Sequence, residues 1–240
     1  MSAVASVRTR PASPIDVVAL QYSNRNRMIG IPLYILGAVI LLSVAISIAI
    51  LRAGGSLDGS DYNASVLWSV LGYMVAIGVQ TTATSFPFAL ALGSTRRSFV
   101  LGALLTAAAQ AVLITVAAEI LLALELLTDG WFVGARVVTS VLLGDGDPLL
   151  LAGVMFLAIL TALTVGGVFG AAWVRYGALG PVLLSLGVVI VGVVAVLAFG
   201  SSLVSFASLF APSWIGWIGA VVIGLAVVGQ YVFLRRASVR

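Results

Sequence analysis

Six long apolar runs dominate the pattern of hydrophobic and polar positions along the chain. Each is long enough to cross a bilayer as a helix, which takes about 20 mostly apolar residues. Their apolar character is continuous rather than alternating, which favours helices over the strands of a barrel. The predicted spans cover residues 28–51, 65–92, 99–124, 149–174, 178–199 and 213–234. The pattern therefore predicts an all-α, polytopic membrane protein with one transmembrane domain over residues 1–240.

Arginines near the span ends predict how the chain is oriented. Six spans place both termini on one side of the membrane, and ten of the twelve basic residues fall on that side. They are Arg8, Arg10, Arg25, Arg27, Arg96, Arg97, Arg175, Arg235, Arg236 and Arg240. Only Arg52 and Arg136 fall on the other side. Because basic residues favour the cytoplasmic side, we expect both termini, including the tail over 1–27, to be cytoplasmic.

Composition supports a membrane protein and excludes several kinds of chemistry. The chain is 62% hydrophobic and 8% charged, whereas a soluble domain carries about a quarter charged residues. It has no lysine, histidine or cysteine. A phosphate-binding loop needs lysine, and the common zinc sites and Ser-His or Cys-His catalysis need histidine or cysteine. We therefore expect no enzymatic activity, cofactor or metal site in this chain, and no nucleic-acid partner.

Residues 14–26 read as a short amphipathic helix that lies flat on the cytoplasmic surface. Ser13 is suited to cap it, and Asp16 follows three residues later, as in a capping box. Its predicted apolar face is formed by Ile15, Val18, Ala19 and Tyr22. A disordered tail with chance spacing is the alternative.

Two further segments fit neither a span nor a plain loop. Residues 131–143 are apolar but too short to span, and Arg136 lies in their middle. A seventh span here would move the C-terminal arginines outside, so we expect an outer interfacial or re-entrant helix. Residues 200–212 carry no charge, which favours a broken hairpin that dips into the outer leaflet.

The second span carries an unusual polar stretch near its centre. It comprises Gln80, Thr81, Thr84 and Ser85 and is followed by Pro87. One interpretation is a polar wall along a substrate path, with a bend at the proline. The other is helix packing through interhelical hydrogen bonds.

An intramembrane carboxylate is predicted in the third span. Glu119 lies about five residues from its outer end. It either pairs with Arg52 or Arg136, or with lipid headgroups, or it takes part in a proton relay.

In the fourth span, Gly166 and Gly170 form a small-xxx-small pair that allows close helix approach.

The break between the second and third spans is short and basic. It holds Arg96 and Arg97 side by side, with no other charge for more than twenty residues on either side. So short a connection predicts an antiparallel helical hairpin with a cytoplasmic tip. From charge alone, the two arginines either anchor the topology or contact a soluble partner.

Residues 86–99 resemble the hairpin between spans two and three of bacterial type-2 ATP-binding-cassette (ABC) exporter permeases. Members typically carry a Leu-Gly-x-Ser/Thr-Arg-Arg-x-aromatic pattern there, and residues 92–99 read Leu-Gly-Ser-Thr-Arg-Arg-Ser-Phe. The six-span layout and the amphipathic N-terminal helix are also similar to that family. The segment 125–148 is longer than the minimal architecture needs.

The resemblance implies roles for the hairpin residues. In that family the hairpin forms a coupling helix that docks into a separate ATPase subunit. Gly93 would end the second span, and Ser94 or Thr95 would cap the next helix.

The next three positions would face the partner directly. Arg96 and Arg97 would contact acids on the ATPase or lipid phosphates, and Phe99 would wedge against the ATPase.

The function that the resemblance implies is the permease subunit of an ATP-driven exporter in a bacterial plasma membrane. It would act as a dimer, with a second copy or a paralogue, together with separate ATPase chains. The residues alone leave other classes open. These are a non-catalytic membrane immunity or scaffold protein, and a secondary transporter. A membrane-embedded enzyme is disfavoured because clustered carboxylates are absent.

Overall fold

The computed structural model describes residues 13–57, 65–207 and 212–237, with side chains left out over 199–207 and 212–215. Within these ranges it is mostly helical, without strands, and six helices are long and apolar enough to cross a membrane. This confirms the all-α, polytopic membrane architecture. The arginines at 8, 10 and 240 lie outside the described residues, as do residues 1–12 of the predicted tail over 1–27.

Seven α-helices make up the described chain. They are α1 Pro14–Gln21, α2 Ile31–Arg52, α3 Ser65–Ala91, α4 Arg96–Leu127, α5 Pro148–Tyr176, α6 Leu179–Ala207 and α7 Pro212–Arg235. The predicted span boundaries hold to within about three residues, except at the end of α6. That helix runs to Ala207, so residues 200–207 of the expected hairpin over 200–212 continue the fifth span instead. In lipid an unbroken helix satisfies every backbone group internally, and no proline interrupts this stretch before Pro212. Residues 208–211 of the expected hairpin lie outside the described residues.

Helix α5 forms the centre of the bundle. It packs against α3, α4, α6 and α7, with the most extensive interface on α3. By contrast, none of the most apolar stretch of α6 is buried within the bundle. The core is thus built around α3, α4 and α5, and α6 lies at the periphery.

Glycines bring α3 and α5 into backbone contact. A Cβ built on Gly170 would lie 2.8 Å from the Cβ of Thr82 on α3 and would also meet the Val79 carbonyl oxygen. Gly166 lies against Gly78 in the same way. The small-xxx-small pair predicted for close helix approach is therefore confirmed, with α3 as the partner.

The N-terminal helix begins as expected but ends earlier and buries a different face. Ser13 and Asp16 form the predicted capping box at the start of α1. The helix stops at Gln21, and Val17 and Gln21 are its buried residues, whereas Ile15 is 72% exposed. The face that packs on α4 is therefore not the predicted apolar one, and Val17 fits against Gly102 there. Helix α1 is thus docked onto the bundle. Ile15, Val18, Ala19 and Tyr22 remain the predicted membrane-facing residues.

A π-helical turn, Asn26–Gly30, joins α1 to α2. Such wide turns leave carbonyl groups that other donors can satisfy. The hydroxyl of Tyr73 on α3 donates to the Arg27 carbonyl at 2.8 Å, and the amide of Gln110 on α4 donates to the Met28 carbonyl at 2.6 Å. Gln110 also accepts a hydrogen bond from the Tyr22 hydroxyl at 3.0 Å. Residues 13–30, here termed the N-terminal arm, are thus fastened to two spans.

The connection over 128–147 differs from the helix that its apolar sequence predicts. It contains only a π-turn, Gly130–Gly134, and a 3₁₀ turn, Val141–Leu143. Trp131 and Phe132 adopt left-handed backbone angles, with φ of 58° and 65°. An extended helix cannot form through such angles, so the expected interfacial or re-entrant helix over 131–143 is wrong.

Glu125 holds this connection in place. The side chain is 1% exposed and lies near the end of α4. Its carboxylate accepts hydrogen bonds from the Val138 amide at 2.8 Å, the Thr139 amide at 2.9 Å and the Trp131 indole at 2.7 Å. The Val137 amide and the Thr139 hydroxyl also donate to it. The loop therefore folds around one buried carboxyl group.

Candidate functional site

The basic hairpin is a tight turn with a helix end on each side. Gly93 has a φ of +85°, a left-handed conformation that ends α3 and that glycine adopts at little cost. The Ser94 amide then donates to the Ala89 carbonyl at 2.9 Å. Thr95 caps α4, since its hydroxyl accepts from the Ser98 amide at 3.1 Å. Of the two expected capping residues, the structure selects Thr95.

Arg96 joins the hairpin to the end of α7. Its guanidinium donates to the Leu234 carbonyl and, at 2.9 Å, to the Ala237 carbonyl. These acceptors lie where a helix has run out of internal donors and carries partial negative charge. Arg97 is exposed. Of the two neighbouring arginines, one is therefore engaged within the molecule and the other faces outward.

Phe99 lies inside the bundle. It is 0% exposed and meets Phe86 of α3 edge to face, with ring centroids 5.1 Å apart. Val17 of α1, Ala171 of α5 and Leu234 of α7 belong to the same buried cluster. The expectation that Phe99 wedges against a partner is therefore wrong, because α3 already covers the ring. Phe99 instead links the hairpin to the rest of the bundle.

The hairpin, α1 and the end of α7 share one end of the bundle, here termed the basic end. Among the described arginines it carries Arg25, Arg27, Arg96, Arg97, Arg175, Arg235 and Arg236, whereas Arg52 and Arg136 lie at the opposite end. This division matches the one on which the predicted orientation rests. The outward-facing charge of Arg97 thus belongs to a broader basic surface.

Part of the polar stretch of α3 forms hydrogen bonds within its own helix, and part of it is exposed. The hydroxyls of Thr81 and Thr84 donate to carbonyls of their own helix, Ile77 at 2.8 Å and Gln80 at 2.7 Å. Gln80 is exposed, and Pro87 lies within a helix that continues to Ala91. Within the described part of the chain, Gln80, Thr81, Thr84 and Ser85 form no side-chain hydrogen bond to another span. The packing interpretation therefore does not rest on them.

One interhelical bond does cross the bundle here, through residues that the sequence did not single out. The amide of Gln230 on α7 donates to the hydroxyl of Thr82 at 3.1 Å, and both side chains are buried. They border an internal cavity of about 20 Å³, which is room for about one water. A glutamine in a terminal span is the only signal in the sequence, and its partner lies 148 positions away.

A larger polar groove separates the N-terminal arm from α3. It has a volume of about 180 Å³, and Gln21 and Arg27 line it from the arm. Thr81, Thr84 and Ser85 line it from α3. Three residues of the predicted polar stretch are therefore brought together with a cation. We term this site the arm groove.

Glu119 lies on α4, away from the arm groove and the hairpin. Its Oε1 atom is buried without a hydrogen-bond partner among the described residues, as is the hydroxyl of Thr115 one turn earlier. The carboxylate that is fully surrounded by donors is instead Glu125. Sequence reasoning missed it because only the fold of 128–147 brings the donors together.

No protein-family model, curated protein or solved structure matches this chain.

Proposed function

We propose that this chain is the membrane-spanning permease subunit of an ATP-driven ABC exporter in a bacterial plasma membrane. A separate ATPase subunit drives it through the hairpin. The observation that carries this proposal is the attachment of the hairpin to the bundle by Arg96 and Phe99. A force applied at the tip therefore reaches α3, α4 and α7 together instead of being absorbed by a slack loop.

The exposed guanidinium of Arg97 supplies the contact. It stands at the tip, where a soluble subunit has access, and a planar guanidinium suits paired carboxylates on such a partner. Arg96 acts behind it as a positioning residue. The pathway lies between two permease copies, or between this chain and a paralogue, and each six-span bundle forms half of it.

Co-purification with an ATPase encoded beside this chain tests the proposal. In liposomes that contain both subunits, we expect Arg97→Ala to lower ATPase capture and permease-stimulated hydrolysis several-fold. Arg235→Ala is the matched control, since it removes an exposed arginine at the basic end but outside the hairpin. Normal hydrolysis by the double variant Arg96→Ala/Arg97→Ala would rule out the coupling role. Failure to find any ATPase partner would favour a scaffold protein.

A further inference from the structure

The arm groove contains two nitrogen donors that nothing in the described chain satisfies. They are Nε2 of Gln21 and Nη2 of Arg27, both buried. Gln21 as a residue is only 7% exposed. A buried donor without an acceptor costs about 1–3 kcal/mol, and more when it is charged. Two such atoms on residues that line one groove indicate that an acceptor from outside the described residues belongs there.

The lining of the groove defines the chemistry of that acceptor. Among the described residues, Arg27 is the one titratable residue that lines it, and no carboxylate does. The hydroxyls of Thr81 and Thr84 already donate to their own helix but keep acceptor capacity. The groove thus offers a positive charge and an amide donor in a partly enclosed space. Such a set suits an oxyanion, and a guanidinium fits phosphate geometry in particular.

The position of the groove adds a second requirement. Arg27 stands in the first turns of the first span, and Ser85 stands near the last turns of the second. Both therefore lie at the depth of the lipid headgroups on the side of the basic end. The apolar side chains of Leu20, Met28 and Phe88 line the same groove beside its polar residues, and Phe88 is 55% exposed. A ligand with a charged head and a hydrocarbon chain meets both kinds of surface.

We propose that the arm groove binds the phosphate group of an anionic phospholipid from the leaflet at the basic end. The phosphate oxygens accept from Arg27 Nη2 and Gln21 Nε2, and an acyl chain lies against Phe88. A choline headgroup is disfavoured because no carboxylate lines the groove to receive its cation. This site is separate from the hairpin, and it does not depend on the exporter proposal.

Binding can be measured on the full chain in detergent by native mass spectrometry, with added phosphatidylglycerol or phosphatidylcholine. We expect phosphatidylglycerol to be retained by the wild type and preferred over phosphatidylcholine. Arg27→Ala should weaken retention by at least about tenfold, the size expected for loss of one charge-assisted hydrogen bond. Arg25→Ala is the matched control, because Arg25 is exposed, two residues away and not part of the lining.

A second variant keeps the test decisive if Arg27→Ala folds poorly. Gln21→Glu preserves the side-chain shape and gives Arg27 an internal acceptor. We expect it to lose phosphatidylglycerol while its melting temperature without added lipid equals or exceeds that of the wild type. Retention of the lipid at the wild-type level by Gln21→Glu would overturn the proposal.

Two further outcomes would also overturn it. Equal losses in Arg25→Ala and Arg27→Ala would mean that the lipid responds to surface charge and not to the groove. Displacement of phosphatidylglycerol by an equal concentration of inorganic phosphate or glycerol phosphate would assign the groove to a soluble anion. If neither soluble anion competes, the acyl chain contributes as proposed.

Discussion

Gly78 of α3 and Gly166 of α5 face each other so closely that a Cβ on either would lie 3.0 Å from the Cα of the other. Each added carbon would also press on a carbonyl oxygen of the opposite helix. The interface between the second and fourth spans is therefore a direct backbone contact. It sits at the centre of the bundle, because α5 contacts four of the other helices.

Substitution at this contact should separate the helices. We expect Gly166→Ala to destabilise the protein by about 1–3 kcal/mol, the usual cost of overpacking. Gly153→Ala on the same helix is the control, since nothing lies within 4 Å of its added carbon. A glycine to alanine change in a helix otherwise stabilises by roughly 0.5–1 kcal/mol. Melting in detergent, followed by tryptophan fluorescence, measures both, and equal melting temperatures would refute the contact.

Loss of Arg96 should loosen the end of α7. Its bonds to the Leu234 and Ala237 carbonyls join the hairpin to that end, and they contribute about 1–2 kcal/mol at a half-exposed site. We expect Arg96→Ala to speed hydrogen exchange in peptides that cover 230–237. Arg97→Ala removes the same charge from the neighbouring position and should leave exchange unchanged. Faster exchange in both variants would contradict the separate roles.

Phe99 should matter for stability and not for partner contact. Because it is fully buried against Phe86, we expect Phe99→Ala to cost about 3–5 kcal/mol of stability. Phe99→Leu should retain most of the packing and should capture an ATPase as well as the wild type does. A Phe99→Leu protein that is stable but fails to bind the ATPase would restore a direct role for the ring.

Removing the Glu125 carboxylate should unfold the connection over 128–147. Glu125→Gln leaves buried donors facing an amide nitrogen, and each unsatisfied donor costs about 1–3 kcal/mol. We therefore expect a lower melting temperature and faster proteolysis within the loop. Glu119→Gln changes the same kind of residue six positions earlier on the same helix, where Oε1 has no partner in the described chain. That control should show no loss, and an equal effect would argue against the loop's dependence on Glu125.

The attachment of the N-terminal arm should weaken at alkaline pH. Burial raises the pKa of the Tyr22 hydroxyl above its ordinary value of 10.0. The folded protein then keeps this proton longer than the unfolded chain does, so stability is full below the ordinary value. It is lost as the pH rises from there through the raised pKa. Tyr22→Phe should flatten this alkaline decline in melting temperature. An identical decline in the variant would show that Tyr22 does not contribute.

Sequence patterns predicted the parts of this fold that depend on local chemistry. Gly93 and Thr95 end and begin helices because of their own backbone and side-chain preferences, so the hairpin was recognisable without its surroundings. The inward direction of the Phe99 side chain could not be predicted, because it depends on Phe86 of α3, which lies opposite. The contact between Gln230 and Thr82 could not be predicted either, because the two residues are 148 positions apart and form no local pattern.

Glu125 shows the same limit for the loop. Its position near a span end predicts only a solvated acid. The donors that surround it converge because Trp131 and Phe132 take left-handed angles, which local propensity disfavours. The polar stretch of α3 was predictable only in part. Its composition predicted a polar surface, but Arg27, which faces it across the arm groove, comes from a turn with no sequence signature.

The π-turn over Asn26–Gly30 makes the attachment of the N-terminal arm sensitive to the number of residues in this connection. Such a turn contains one residue more than an α-helical turn, and each helical residue advances the chain by about 100°. Deleting a single residue there would give a regular α-helical turn, which changes the hydrogen-bond partners of its carbonyl groups. The Arg27 and Met28 carbonyls would then point away from Tyr73 and Gln110. Homologous chains should therefore keep the residue count of this connection constant.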